Sequence, residues 1–245
     1  DGFNGQLKNI FINDNKSSGN GGGIYLLNSE PKMENIIIEN NSDRNGNYNL
    51  DGGGIYLNNS IPETFENIKI YNNHASNNGG GIYLNNSTIE NAIGFEVYSN
   101  NANQNGGGIY LINSNLNIEG SLVTPINENA STDNGGGIYV EDSQPILSNA
   151  IIWDNYPMSI VYQNSNISSH LPIINYSDIQ GDTIWAGEGN INENPFDLFG
   201  NIFSQSNGFE SMFNMGSQSR SNRSRSSPNI VKKLDITLED LYCKR

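Results

Sequence analysis

Paired carboxylates, a recurring tyrosine and a recurring amide are the side chains here whose types and spacing bear on chemistry. Glu128 and Asp154 each stand one place before an Asn that returns along the sequence, and Glu141 adjoins Asp142. A glycoside hydrolase needs two carboxyls about 5–10 Å apart, and equivalent positions on neighbouring coils of a repeat would supply that spacing. The same acids read equally as a solvated surface that keeps a β-structure from pairing edge to edge. The repeat also carries no insertion long enough to build a cleft. Elimination from a uronate fits worse, because it needs a base and cations to hold substrate carboxylates. No Lys or Arg occurs between Lys69 and Arg220. Outward acids could hold calcium, but the glycine-aspartate nonapeptide loop is missing, so no cofactor is expected.

Tyr25, Tyr56, Tyr83, Tyr110 and Tyr139 recur at 27 to 31 residues. Aromatic faces repeated at coil spacing could stack a glycan. The plainer reading is a tyrosine ladder shielding one sheet face, where each cross-strand pair is worth roughly 0.2–1 kcal/mol. His74 and His170 lie in different coils with no evident nucleophile, and read as turn residues. Cys243 is the only cysteine, which excludes an intrachain disulfide and a cysteine zinc site.

What must position these groups is the repeat GGGIY, at Gly21–Tyr25, Gly52–Tyr56, Gly79–Tyr83, Gly106–Tyr110 and Gly135–Tyr139. A fixed period in this range means stacked units, each too small to bury its own apolar face. Between the glycine runs come Ile10-Phe11-Ile12, Ile36-Ile37-Ile38, Ile68-Lys69-Ile70, Phe95-Glu96-Val97 and Thr124-Pro125-Ile126. Each puts two residues on one face of a strand. Three places later stands an Asn every time: Asn15, Asn41, Asn73, Asn100 and Asn129, with Ala150-Ile151-Ile152 and Asn155 adding a sixth coil.

No helical period appears, and the density of Gly, Asn (45) and β-branched residues disfavours helix. Short strands of about three to five residues are expected, joined by turns and stacked in parallel about 4.8 Å apart. Each glycine run, ending at Gly23, Gly54, Gly81, Gly108 and Gly137, is expected to enter a tight corner with positive φ. Alternation turns Ile and Leu of the motif inward and Tyr outward. The recurring Asn is expected in a corner, its amide bonded to the Asn of the next coil. Trp153 and Trp185 fall in the last coils, where capping is the expected role.

The net charge of −14 is unevenly spread: residues 1–194 hold five basic against 21 acidic groups, the remainder seven against five. An acidic body repels nucleic acid and anionic membrane surfaces. No apolar run approaches the ~20 residues of a membrane span. The sequence shows no signal peptide and no initiating Met, as expected of a processed protein or a fragment.

The paired GGGI and [I/V/F]-x-x-N elements resemble the repeats of polymorphic outer-membrane proteins. They are still more similar to bacterial right-handed β-helix repeat proteins of the cell surface. In those, a closing segment is similar to Asn175-Tyr176-Ser177-Asp178-Ile179-Gln180-Gly181 and Gly187-Glu188-Gly189-Asn190-Ile191-Asn192. The resemblance covers about residues 4–195 and implies an extracellular or cell-surface module, structural or adhesive, with glycans or cell-surface molecules as partners. It is looser about activity, since such coils also serve carbohydrate-active enzymes.

After Pro195 the period is lost. Phe196, Phe199, Phe203, Phe209 and Phe213 are scattered among Gly, Ser and Asn, and Arg220, Arg223 and Arg225 sit in a serine-rich stretch. Asp197-Leu198-Phe199-Gly200-Asn201-Ile202-Phe203 and Asp235-Ile236-Thr237-Leu238-Glu239-Asp240-Leu241-Tyr242 resemble the Gly/Phe region and the opening of the client-binding domain of DnaJ-type co-chaperones. The His-Pro-Asp tripeptide and the CxxCxGxG zinc repeats of that family are absent. A chaperone partner is therefore implied only if this segment acts alone.

The expectation is an all-β protein. Residues 1–194 form a right-handed, single-stranded parallel β-helix of pectin-lyase type, with six to seven coils. Residues 195–228 form a disordered linker, and 229–245 a short β segment. The favoured function is a non-catalytic surface module. Its alternatives are a polysaccharide hydrolase and unfolded-protein binding through the C-terminal segment.

Overall fold

The computed structural model describes residues 1–43, 50–118, 123–163, 172–181 and 190. The protein divides into units Asp1–Asn201 and Ile202–Arg245. The second unit, the linker and DnaJ-like segment expected there, His170 and Trp185 all lie outside the described residues.

All the described strands pair in parallel, and successive strands of a sheet come from successive coils, which makes a β-solenoid. One face is built from Gln6–Asn13, Lys32–Glu39, Thr64–Tyr71, Glu96–Tyr98, Thr124–Asn127, Ala150–Trp153 and Asp178–Ile179, in that order. The GGGIY strands form a second face: Ile24–Leu27, Ile55–Asn58, Ile82–Asn85, Ile109–Ile112, Ile138–Glu141 and Ile160–Gln163. Like residues pair with like, Ile55 with Ile82 and Ile109 with Ile138. Short corner strands, and from the third GGGIY strand onward a four-stranded sheet beginning at Thr88–Ile89, form the remaining sides of the coils.

Strand alternation fills the interior. Ile55, Leu57, Ile82, Leu84, Ile109 and Leu111 face inward from the motif and meet Ile36, Ile38, Ile68, Ile70 and Val97 in one core. The first-face strands are longer than expected, eight residues in each of the first three coils. An Asn in each adopts left-handed backbone, Asn9, Asn35 and Asn67 at φ 53° to 55°. That residue absorbs one position, so Met33, Ile36 and Ile38 all point inward although their spacing is three and then two. Asn tolerates this conformation better than other side chains. Gly94 takes the same place one coil on.

The glycine run divides its labour. In Gly79-Gly80-Gly81 only Gly79 has positive φ, at 65°. A Cβ on Gly80 would stand 2.3 Å from the Asn101 carbonyl oxygen. One on Gly81 would stand 2.6 Å from the Gly108 oxygen and 3.0 Å from Nδ2 of Asn100. The first glycine turns the backbone; the other two let neighbouring coils and the corner Asn come close. Gly23, Gly54, Gly108 and Gly137 hold the last of these positions in the other coils.

Corner amides carry the stack. The backbone N–H and Nδ2 of Asn41 both donate to Oδ1 of Asn73 at 3.0 Å. Asn73 donates likewise to Asn100, Asn100 to Asn129, and Asn129 to Asn155. Asn15 starts the series on Asn41. A second column is serine: the N–H groups of Ser29, Ser60, Ser87 and Ser114 each donate to the hydroxyl of the next, ending on Ser143. These bonds satisfy buried polar groups that the core cannot. Among the described residues no helix is long and apolar enough to cross a membrane.

Candidate functional site

The tyrosine column sits on the side of the GGGIY strands away from the core, as alternation requires, but it is not an open surface. The rings of Tyr25, Tyr56, Tyr83, Tyr110 and Tyr139 stack with centroids 4.9–5.2 Å apart and planes within 12° of parallel. In-register parallel strands place identical residues one rung apart, about 4.8 Å, which falls within the centroid spacing of packed aromatic pairs. Each inner ring has its faces covered by its neighbours. Tyr56, Tyr83, Tyr110 and Tyr139 are only 6–9% exposed, whereas Tyr25 is 46% exposed. The rings thus form the ladder that is the plainer of the two readings, and of the five residues that could stack a sugar only Tyr25 has an open face.

The hydroxyl rim is partly engaged as well. Tyr110 donates to the Glu141 carboxylate, and Tyr139 donates to Oε1 of Gln163 at 2.5 Å. The acceptor in each case is the fourth residue of the next coil's strand. In that register Tyr83 meets Ile112 instead of a polar side chain. Burial raises the phenol pKa of Tyr56, Tyr83, Tyr110 and Tyr139, and the Glu141 carboxylate adds to it at Tyr110. The rim thus stays protonated and able to donate throughout the ordinary pH range.

Glu128 and Asp154 occupy one turn column with Asp14, Asn40, Asn72 and Ser99, all at φ 50° to 58°. They do lie on adjacent coils, as their sequence positions imply. Both are exposed, and Glu128 accepts a bond from the Ser99 hydroxyl at 3.0 Å. The backbone N–H of Asp154 donates to Oε1 of Gln180 at 2.6 Å. Two shallow concavities lie elsewhere. One, of about 390 Å³, is lined by Asn113, Ser114, Asn115, Asp142, Ser143 and Gln144. The other, of about 130 Å³, is formed by Val123, Ile151, Tyr176, Asp178 and their neighbours. Glu141 and Asp142 separate in role: the first binds Tyr110, the second lines the polar groove. His74 lies in a corner strand with Nδ1 3.1 Å from Oδ1 of Asn101. Among the described residues no group of three or more His, Cys, Asp or Glu is placed to hold a metal ion.

A further amide column escaped the reading of the sequence. The residue just before each glycine run is Asn20, Asp51, Asn78, Asn105 or Asn134. Asp51 N–H donates to Oδ1 of Asn20, and Asn78 donates to Oδ1 of Asp51 through its N–H and Nδ2. Asn105 bonds to Asn78, and Asn134 to Asn105. Here donors look back toward the preceding coil, opposite in sense to the Asn15–Asn155 column. Asp51 is the one carboxylate in the series. Burial raises its pKa, opposed by the bonds from Asn78 and Asn77.

A model of the Chlamydia polymorphic membrane protein repeat matches residues 9–26 and 67–85. Each match runs from a left-handed strand Asn through the corner Asn to the GGGIY strand. No curated protein matches this one in sequence. Among solved structures, full-length QnrB1, a plasmid-mediated fluoroquinolone resistance protein, aligns at 10% identity and TM-score 0.25, over 82% of this protein and 99% of that one. A trypsin-treated variant of it aligns at 11% and 0.20, over 80% and 97%. Scores of this size carry no argument about fold or function.

Proposed function

We propose that the solenoid is a surface or adhesin-like β-helix module, structural in its body and adhesive through weak contact with glycans. What supports the reading is that the polymorphic membrane protein repeat coincides with the larger part of a coil of this stack, from the left-handed strand Asn through the corner Asn to the GGGIY strand. Its location is then the cell exterior. Tyr25 is the place for the sugar contact, because a pyranose ring laid on its free face continues the stacking of the column. Saturation-transfer NMR with soluble oligosaccharides should detect contact that Tyr25→Ala abolishes and Tyr110→Phe leaves intact. Contact unchanged in Tyr25→Ala would remove Tyr25 from the proposal. Release of reducing sugar, lost in Glu128→Gln or Asp154→Asn, would overturn the non-catalytic reading itself.

A further inference from the structure

We propose that Asn134–Gly135 is a site of spontaneous deamidation, singled out among the Asn-Gly pairs that open the glycine runs by the short corner that follows it. Asn20-Gly21, Asn78-Gly79 and Asn105-Gly106 occupy the same place in other coils. In those three the glycine N–H, whose nitrogen must attack, is tied: Gly21 to the Asp51 carbonyl, Gly79 to Asn105, Gly106 to Asn134, each at 3.0–3.1 Å. Their side-chain oxygens are held too, Asn20 by Asp51, Asn78 by Asn105 and Asn105 by Asn134.

Asn134–Gly135 differs in both respects. Nine positions separate the corner Asn from the motif Ile in coil five (Asn129 to Ile138), but only five do so in coil six (Asn155 to Ile160). The sixth corner therefore runs Tyr156-Pro157-Met158-Ser159 and has no counterpart to the Asp or Asn whose carbonyl caps the glycine elsewhere. Among the described residues no acceptor takes the Gly135 N–H and no donor reaches Oδ1 of Asn134. Its Nδ2 makes a single bond of 3.3 Å, and the residue is exposed.

The chemistry closes without a further reactant except water. The Gly135 nitrogen loses its proton and bonds to Cγ of Asn134, and the bond from Cγ to Nδ2 breaks with release of ammonia. Water then opens the resulting succinimide at either carbonyl to leave aspartate or isoaspartate. Glycine after the Asn offers no side chain to hinder ring closure. The product adds a negative charge beside Asp133, and Asp51 shows that this column accommodates a carboxylate.

The test is peptide mapping by mass spectrometry of the full-length protein held at mildly alkaline pH, with isoaspartate quantified by methyltransferase labelling. In the folded protein Asn134 should convert about tenfold faster than Asn78 or Asn105, which react only after local opening. In urea the three should converge, since each is followed by two or more glycines. Asn134→Gln should keep the β-sheet circular dichroism and leave the slow conversion of Asn78 and Asn105 unchanged. Equal rates of Asn134, Asn78 and Asn105 in the folded protein, or a ratio that persists in urea, would each overturn the proposal.

Discussion

Replacing Asn73 by Ala should be far more damaging than replacing Asn15, although both hold the same place in the repeat. Nδ2 of Asn73 donates to the carbonyls of Ile38 and Tyr71 and to Oδ1 of Asn100, at 2.9–3.0 Å. Its Oδ1 accepts from the N–H and Nδ2 of Asn41. Five side-chain contacts, three of them sharing the two Nδ2 hydrogens, therefore vanish in Asn73→Ala, at a site 1% exposed. At roughly 1 kcal/mol net for each of the four bonds that two amide hydrogens and one oxygen can sustain, the loss is about 4 kcal/mol, and the Asn41 backbone N–H is left buried without an acceptor. Asn15 makes two such bonds, to the Asn13 carbonyl and to Oδ1 of Asn41, and it is exposed, so water replaces them. Its loss should cost about 1 kcal/mol or less. Coils contact only their neighbours, so one global midpoint can blur a local defect. Urea titration should accordingly be read with native-state hydrogen exchange at the Asn41 amide. The variants should differ by about 3–4 kcal/mol, with Asn41 protection collapsing only in Asn73→Ala. Equal costs would refute the reasoning that the amide column holds the coils together.

Asp51→Asn should stabilise the protein at neutral pH by about 1 kcal/mol, because a second amide can donate to Oδ1 of Asn20 and no buried charge remains. Since burial raises the Asp51 pKa, its penalty grows as pH rises from the ordinary carboxyl value of about 3.9 through the raised one. The gap between variant and parent should therefore shrink as pH falls below that window, which urea titrations across acid pH will measure. Gly80→Ala should cost about 3 kcal/mol or more, because the new Cβ meets the Asn101 and Gly107 carbonyl oxygens, which are backbone and cannot swing away. Gly19→Ala, with only the Ser17 hydroxyl 4.0 Å away, should stay within about 0.5 kcal/mol in the same thermal melts.

Much of this architecture is legible in the residues because a stacked coil repeats its constraints. The spacing of Ile24, Ile55, Ile82, Ile109 and Ile138 shows which strands pair, and the Asn three places beyond each strand pair marks a corner. Alternation, however, tells only which side of a sheet a residue takes. It does not say how closely the rings meet along the column, so the tyrosine ladder was legible from identical neighbours one rung apart, but the burial of four of its five rings was not. The eight-residue strands were missed for a similar reason: Asn9, Asn35 and Asn67 look like strand ends until their left-handed backbone is seen. The serine column and the Asn20–Asn134 column had clean signals. The serines fall five places after the motif Ile, and the amides fall immediately before the glycines. Both were masked by a composition in which Ser and Asn are everywhere. The carboxylates Glu128 and Asp154 were placed on adjacent coils by spacing alone, but spacing is silent about shelter, and both stand in solvent.

The central claim is that the tyrosines close on one another and leave one open face. Nitration with tetranitromethane, mapped by mass spectrometry on the native protein, tests it directly, since the reagent needs an accessible phenolate. Tyr25 should be modified together with the exposed Tyr156, while Tyr56, Tyr83, Tyr110 and Tyr139 stay protected until urea is added. Nitration of Tyr83 and Tyr110 in the folded protein as readily as Tyr25 would contradict the account.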